Sequence, residues 1–380
     1  MISKWIFTCI VSFIIITTSL SGISKEKDYC IRVRDAGISI GSLPSGTLNA
    51  ITDVKNVAVG HTTIIRGENV RTGVTAVLPH GGNIFRDKVP AAVYLGNAFG
   101  KLAGSTQVEE LGEIETPIVL TNTLSVGTAM SALVRYTLDL PGNRDVRSVN
   151  AIVGETNDGY LNDIRGMHVS VDDVIDAIST AQSGSVKEGS VGAGTGTRAF
   201  GYKGGIGTSS RIVRIGGDEY TVGVLVQSNY GGDLTINGIA VGRELKRAQK
   251  NDDNNGDGSC MIIVATDAPL DARNLKRLAK RALFGLARTG SVMSNGSGDF
   301  VIAFSTAYRI PHGESKITLP QLLSNNVMTP LFQGVIEASE ESVLNSMFMA
   351  TTVKGRNGHI ANALPKREVI DILNKNNSVR

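Results

Sequence analysis

The chain has 380 residues, with 38 Lys and Arg against 35 Asp and Glu, giving a formal net charge of +3. A balance this even leaves no electrostatic footprint for nucleic acid or an anionic membrane, and 41% hydrophobic with 19% charged residues excludes intrinsic disorder. The 44 glycines have no fixed period and come with only 10 prolines, which excludes collagen and predicts many tight turns and close backbone approaches.

The first segment, MISKWIFTCIVSFIIITTSLSG, places one lysine before an apolar run from Trp5 to Ile16, then the small residues Ser19, Ser21 and Gly22. This is the layout of a secretory signal peptide over residues 1–22, with cleavage near Ser21 or Gly22, and it predicts an exported protein, periplasmic or secreted. An uncleaved anchor is the rival reading, but the run is short for a membrane span. Three cysteines follow the same logic. Cys9 lies in the leader, and Cys30 and Cys260 could pair in an exported protein, but unpaired packing is favoured because two cysteines do not make a disulfide framework.

Further along, NAITDVKNVAVG (49–60) and TGVTAVLP read as strands. TPIVLTNTLSV, rich in β-branched residues, predicts a buried strand. It runs into GTAMSALVRYTLDL, whose apolar residues recur at helical spacing until Pro141 and Gly142 stop the helix. NAIVGE is a short strand. Ser170 with Asp173 forms a capping box before the helix VIDAIST, and YTVGVLVQSNYG is a further strand. The segment KRAQKNDDNNGDG reads as a polar linker that ends abruptly at the buried strand SCMIIVATDAPL. The helix NLKRLAKRALFGLART then puts Leu275, Leu278, Ala282, Leu283 and Leu286 on one face, and GDFVIAFSTA is a last buried strand. Alternating strands and helices predict the α/β class in one compact unit.

Most of the chemical motifs fail on inspection. Gly194, Gly196 and Ala199 spell G-x-G-x-x-A, but no strand precedes them and no helix follows, so close backbone packing is the better reading. Asp253, Asn255, Asp257 and Gly258 open a calcium-loop pattern whose twelfth position, which requires Glu, is Val264. His61, His80, His168, His312 and His359 have no zinc spacing, and no G-x-S-x-G elbow occurs. What survives is Gly258-Ser259, where a polar linker meets a buried strand. A serine there is held on one side and accessible on the other, which suits attack by its hydroxyl on the preceding carbonyl. An N–O acyl shift and hydrolysis would then leave an N-terminal serine whose amine serves as its own base. An ordinary loop-to-strand boundary is the competing reading.

Seven stretches, in order over roughly residues 35–310, resemble the β-peptidyl aminopeptidase family, which includes the L-aminopeptidase/D-esterase type enzymes. They are NAITDVKNVAVGHTT, ETPIVLTNTLSVGTA, VGETNDGYLNDIRG, VGAGTGTRAFGYKGGIGTSSR, VLVQSNYG, GSCMIIVATDAPL and RTGSVMSNGSGDFVIAFSTA. The resemblance implies a four-layer α-β-β-α sandwich like that of N-terminal nucleophile hydrolases, with different connectivity. It also implies self-cleavage of the single catalytic domain 23–380 into an α chain, 23–258, and a β chain, 259–380, assembled as a homotetramer.

By the same resemblance Ser259 is the nucleophile, with Gly258 contributing the other half of the cleaved bond. Ser297 and Asp299 support it, and Asp299 stands where some members carry the longer Glu. Asn229 and Tyr160 match oxyanion-stabilising positions, and Glu155 matches a position facing the substrate's free amino group. Cys260, adjacent in a strand, points away from the nucleophile's face. The implied substrates are short peptides, amides or esters with a free N-terminus, and the implied chemistry uses no metal or organic cofactor. Two rival functions remain. One is an acyltransferase of the ornithine acetyltransferase type, against which the serine at 259 and the leader both argue. The other is a non-catalytic periplasmic binding protein. The preferred residue (β, D or small L) is left open.

Overall fold

The computed structural model describes residues 29–249 and 258–377. The leader and the calcium-like segment 253–257 lie outside them. The longer strands are β1 (Ala58–Arg66), β2 (Val70–Leu78), β3 (Asp87–Ala98), β4 (Ile118–Asn122), β5 (Ile152–Thr156), β6 (Gly205–Ile215), β7 (Asp218–Asn229), β8 (Ser259–Thr266) and β9 (Gly298–Ser305). The helices are α1 (Ser105–Leu111), α2 (Val126–Asp139), α3 (Val171–Ser179), α4 (Val241–Gln249), α5 (Ala272–Arg288), α6 (Thr329–Phe348) and α7 (Lys366–Asn377).

One sheet runs β1-β2-β4-β5 and ends on the short strand Leu102–Ala103. The other runs β6-β7-β8-β9-β3 and ends on Ile310–Pro311, with Glu113–Ile114 also paired to β3. Within these sheets β4–β5 and β8–β9 are parallel, while β7–β8 and β9–β3 are antiparallel.

Period-two alternation sorts the apolar side chains into three cores. In β8, Met261, Ile263 and Ala265 join Leu120, Ile152, Leu225, Phe300 and Ile302 between the sheets. The intervening Cys260, Ile262 and Val264 meet Leu275, Leu278 and Ala282 of α5 and Val335 and Ala338 of α6. The outer face of the first sheet, with Val74, Ala76 and Val153, is covered by Ala129, Leu133, Val174 and Ala177 of α2 and α3. The layers are therefore α, β, β, α, as expected. Strand β8 is buried over all eight residues, so it reads as a continuous apolar run rather than an alternating one.

Several local expectations hold. Ser170 Oγ accepts from the Asp173 amide at 3.2 Å and Asp173 Oδ2 from the Ser170 amide at 2.8 Å, and the five residues chosen for the buried face of α5 are all buried. Cys30 and Cys260 are free, the first exposed and the second buried.

Others need correction. Residues 49–57 are not strand: a 3-10 turn at Ile51–Asp53 precedes β1, which starts only at Ala58. KRAQ is the end of α4 rather than linker. The Gly-rich stretch contains strand β6, and Gly207 within it faces α6 so closely that a Cβ would lie 2.0 Å from the Ser342 carbonyl oxygen. Helix α6 is itself the largest omission. Its EASEES segment looks like solvated surface, yet Glu337, Glu340 and Glu341 are buried, where Arg211 pairs with Glu337 and Glu341, Arg34 with Glu341 and Arg288 with Glu340.

Candidate active site

The site lies where four strand ends of the second sheet come level. Register places Asn229 of β7 opposite Ser259 of β8, Ser259 beside Gly298 of β9, and Gly298 opposite Ala98 of β3. Residues opposite one another across neighbouring strands share a face, so Asn229 and Ser259 present their side chains to the same space. That space is a cleft of about 880 Å³, lined by Gly258, Ser259, Asn229, Tyr160, Glu155 and Arg198 among others.

Gly258 is glycine for a geometric reason: a Cβ would lie 2.1 Å from the Asn229 carbonyl oxygen and 2.4 Å from the Tyr230 Cα. The Gly298 amide donates to the Gly258 carbonyl oxygen at 3.1 Å and to Ser259 Oγ at 3.3 Å. A carbonyl polarised in this way, with a hydroxyl on the next residue, has the donor that a tetrahedral oxyanion requires.

The Asn229 amide is held at both ends, its Oδ1 accepting from the Arg198 amide at 3.0 Å and its Nδ2 donating to the Asn157 carbonyl at 3.0 Å. Nδ2 carries two hydrogens, so one remains for the cleft. Tyr160 is 39% exposed and sandwiched. The Arg198 guanidinium lies 3.9 Å from its ring centroid on one contact, and the His359 ring stacks at 4.5 Å and 17°. His359 Nδ1 also sits 2.8 Å from the Tyr160 carbonyl oxygen, and the Asp158 carbonyl accepts from the Leu161 and Asn162 amides at 3.1 and 3.0 Å, so the loop is fixed from both sides.

Glu155 is the penultimate residue of β5 in the first sheet and is buried. Its Oε1 accepts from the Lys101 amide at 3.1 Å and lies 3.8 Å from Lys101 Nζ, and Thr123 Oγ1 donates to its Oε2.

Ser297 and Asp299 stand apart from this group. Both are buried and neither lines the cleft. Asp299 falls in the row behind, level with Cys260 and Ser228, on the face that meets the helices. Both of its carboxylate oxygens and Ser297 Oγ lack a hydrogen-bonding partner. Burial pushes the Asp299 carboxyl up to about 6, opposed by the nearby Ser297 hydroxyl and Cys260 amide, so these groups feel one another without closing hydrogen bonds. Burial and the Asp299 charge also push the Cys260 thiol well up, which together with its orientation disqualifies it as a thiolate nucleophile.

The G-x-G-x-x-A stretch is packing. Gly192–Gly194 is a 3-10 turn and a Cβ on Gly194 would lie 2.5 Å from the Ile206 amide. Among the described residues no group of three or more His, Cys, Asp or Glu could hold a metal ion. Sequence reasoning missed Arg198 and Lys101 in the cleft wall. The signal for Arg198 was a lone cation inside a glycine-rich run, VGAGTGTRAFG, where charge has no solvated helix face to occupy.

The chain matches the model of peptidase family S58 over residues 49–361. It is 42% identical to the beta-peptidyl aminopeptidase BapA of Sphingosinicella microcystinivorans, over 90% of this chain and 92% of that one. Among solved structures it is similar to the Burkholderia sp. beta-aminopeptidase, with TM-score 0.84 and 38% identity, covering 91% of this chain and 99% of the other. It is also similar to the L-aminopeptidase D-Ala-esterase/amidase of Ochrobactrum anthropi, with TM-score 0.85 and 36% identity, covering 92% and 99%. That structure is described as a prototype for the serine aminopeptidases and a new variant among the Ntn hydrolase fold. The four layers, the serine at the head of a buried strand and this extent of similarity identify the chain as a member of peptidase family S58, a serine aminopeptidase of the N-terminal nucleophile type.

Proposed function

We propose that the chain is exported, cuts itself between Gly258 and Ser259, and then releases N-terminal residues from short peptides, amides or esters. The observation that carries this reading is the shared placement of Gly258, Ser259, Asn229, Tyr160 and Glu155 around one cleft.

In maturation the Ser259 hydroxyl attacks the Gly258 carbonyl, whose oxygen already accepts from the Gly298 amide. The C–N bond breaks as the C–O bond forms, the proton passes from Oγ to the departing amine, and water hydrolyses the ester. In turnover that freed amine takes the proton from Ser259 Oγ as it attacks the substrate carbonyl and passes it to the departing amine as the C–N bond breaks, and water then hydrolyses the acyl-serine. The developing oxyanion is received by the spare hydrogen of Asn229 Nδ2 and by the Tyr160 hydroxyl. Glu155 holds the substrate's ammonium, so an N-blocked peptide forfeits that charge pair and is rejected. Asp299, in the row behind Ser259 and near the Cys260 amide, stabilises positive charge on the Ser259 amine, and the unpartnered Ser297 hydroxyl relays a proton. The relatives' names favour β-amino acid residues at the N-terminus. Assembly as a tetramer of αβ pairs is part of the same reading.

Intact mass under denaturing, reducing conditions, beside the Ser259→Ala variant, tests it. Two chains meeting at Gly258/Ser259 in the wild type and a single chain in the variant are expected. One uncut wild-type chain without turnover overturns the mechanism and brings the binding-protein reading forward.

A further inference from the structure

Arg198 is a cation in the cleft wall that no carboxylate pairs with among the described residues. It lines the same cleft as Ser259 and Glu155. Among the described residues no ion pair or side-chain hydrogen bond involves its guanidinium, and its Nε is buried without a partner. A buried donor of a charged group left unpaired costs more than an ordinary lost hydrogen bond, so its retention points to a partner that arrives with the substrate. The group is also held in place before that partner comes. Its backbone amide is tied to Asn229 Oδ1 at 3.0 Å, and its guanidinium carbon lies 3.9 Å from the Tyr160 ring centroid, over the ring, with His359 stacked on the same ring. A stacked guanidinium keeps its N–H edge available for a planar, two-oxygen acceptor.

Lys101 is the other cation in the wall, but it sits 3.8 Å from Glu155 Oε1 and is already answered. Among the described residues the cleft therefore carries the buried Glu155 carboxylate and one guanidinium without a carboxylate partner, with Ser259 in the same lining.

We propose that Arg198 binds the free C-terminal carboxylate of the leaving residue, which makes free dipeptides the preferred class of substrate. This deepens the reading above and rests on it: Glu155 takes the ammonium, Ser259 attacks the single peptide bond, and Arg198 takes the carboxylate of the amino acid that departs. A longer peptide moves its carboxylate out of reach, and an amide or ester leaving group has none.

The test compares β-alanyl-L-alanine with β-alanyl-L-alaninamide on mature enzyme, for wild type, Arg198→Gln and Arg198→Lys. A charge-assisted hydrogen-bonded pair corresponds to about 10–100-fold. Arg198→Gln should lose about that factor more in kcat/KM on the free dipeptide than on the amide, with the excess loss mainly in KM. Arg198→Lys should recover part of the loss. If Arg198 only braces Tyr160, both substrates fall together and mainly in kcat, which overturns the assignment. A wild type that prefers the amide also overturns it. Wild-type turnover of the amide separates the two levels: its presence with equal losses in the variant sinks only the Arg198 role, and failure to cut either substrate sinks the aminopeptidase reading with it.

Discussion

Two arginines of this molecule, Arg211 and Arg198, are held in opposite ways. Arg211 is fully buried behind the second sheet, and each nitrogen of its guanidinium is engaged. Nε meets Glu337 Oε2 at 3.2 Å, Nη1 meets Ser209 Oγ and the Ser210 carbonyl at 2.9 and 2.7 Å, and Nη2 meets the Ile40 carbonyl and Glu341 Oε2 at 2.8 and 2.7 Å. In the cleft wall Arg198 Nε is left open instead, and in the row behind Ser259 so are Ser297 Oγ and both Asp299 oxygens. The difference separates architecture from chemistry. Saturation suits the Arg211 network because each unmet donor or acceptor costs stability, although buried side chains away from the cleft, such as Gln107 and Thr137, also hold unpartnered atoms. A group that must receive substrate charge or a moving proton keeps capacity in reserve.

The contrast is broken most severely at Arg211. Replacing it by Met leaves the buried Glu337 without its cation and Glu341 with Arg34 alone, and removing one partner of a buried pair costs about 3–5 kcal/mol. Urea unfolding should register that loss, while activity per folded molecule stays close to wild type; a drop in kcat would place the network in the chemistry.

On the cleft side, Asn229→Ala should reduce kcat by about 10²–10³, the usual effect of losing an oxyanion donor. Its cost in stability is expected to be smaller, about 1 kcal/mol for each hydrogen bond lost at Arg198 and Asn157. Retention of full kcat in steady-state assays would remove Asn229 from the oxyanion site.

Asp299 sharpens the contrast through pH. Its folded carboxyl is raised to about 6, so protonation favours the folded state, and that contribution fades as pH rises through about 6. Asp299→Asn should therefore be more stable than wild type at pH 8 and less active there. In the wild type, kcat should fall as pH drops through about 6, because the carboxylate form is the working one. If Asp299→Asn kept an unchanged pH profile, its carboxyl would have no part in turnover.

Much of this was legible in the linear chain wherever one residue's neighbours in sequence are also its physical determinants. The buried strand at Ser259–Thr266, the capping box at Ser170 and the apolar stripe of α5 all follow from local periodicity. The grouping of Ser259, Asn229, Tyr160 and Glu155 followed from stretches long enough to carry a family resemblance. Helix α6 and strand β6 were hidden because their polar and glycine residues have partners far away in sequence. Glu337 is at home in the interior only because Arg211 is there, and Gly207 makes sense only against the backbone of α6.

Sequence alone therefore determined the α/β class, the serine at the head of a buried strand, and, of the site residues it singled out, Ser259, Asn229, Tyr160 and Glu155 as lining one cleft. Tertiary structure decided which of these face the cleft. Strand register put Asn229 opposite Ser259 and moved Asp299 to the row behind, and packing left Arg198 in the cleft wall without an ion pair among the described residues. The reason is physical: periodicity along a chain fixes which way a side chain points relative to its own strand, but pairing between strands fixes what it points at.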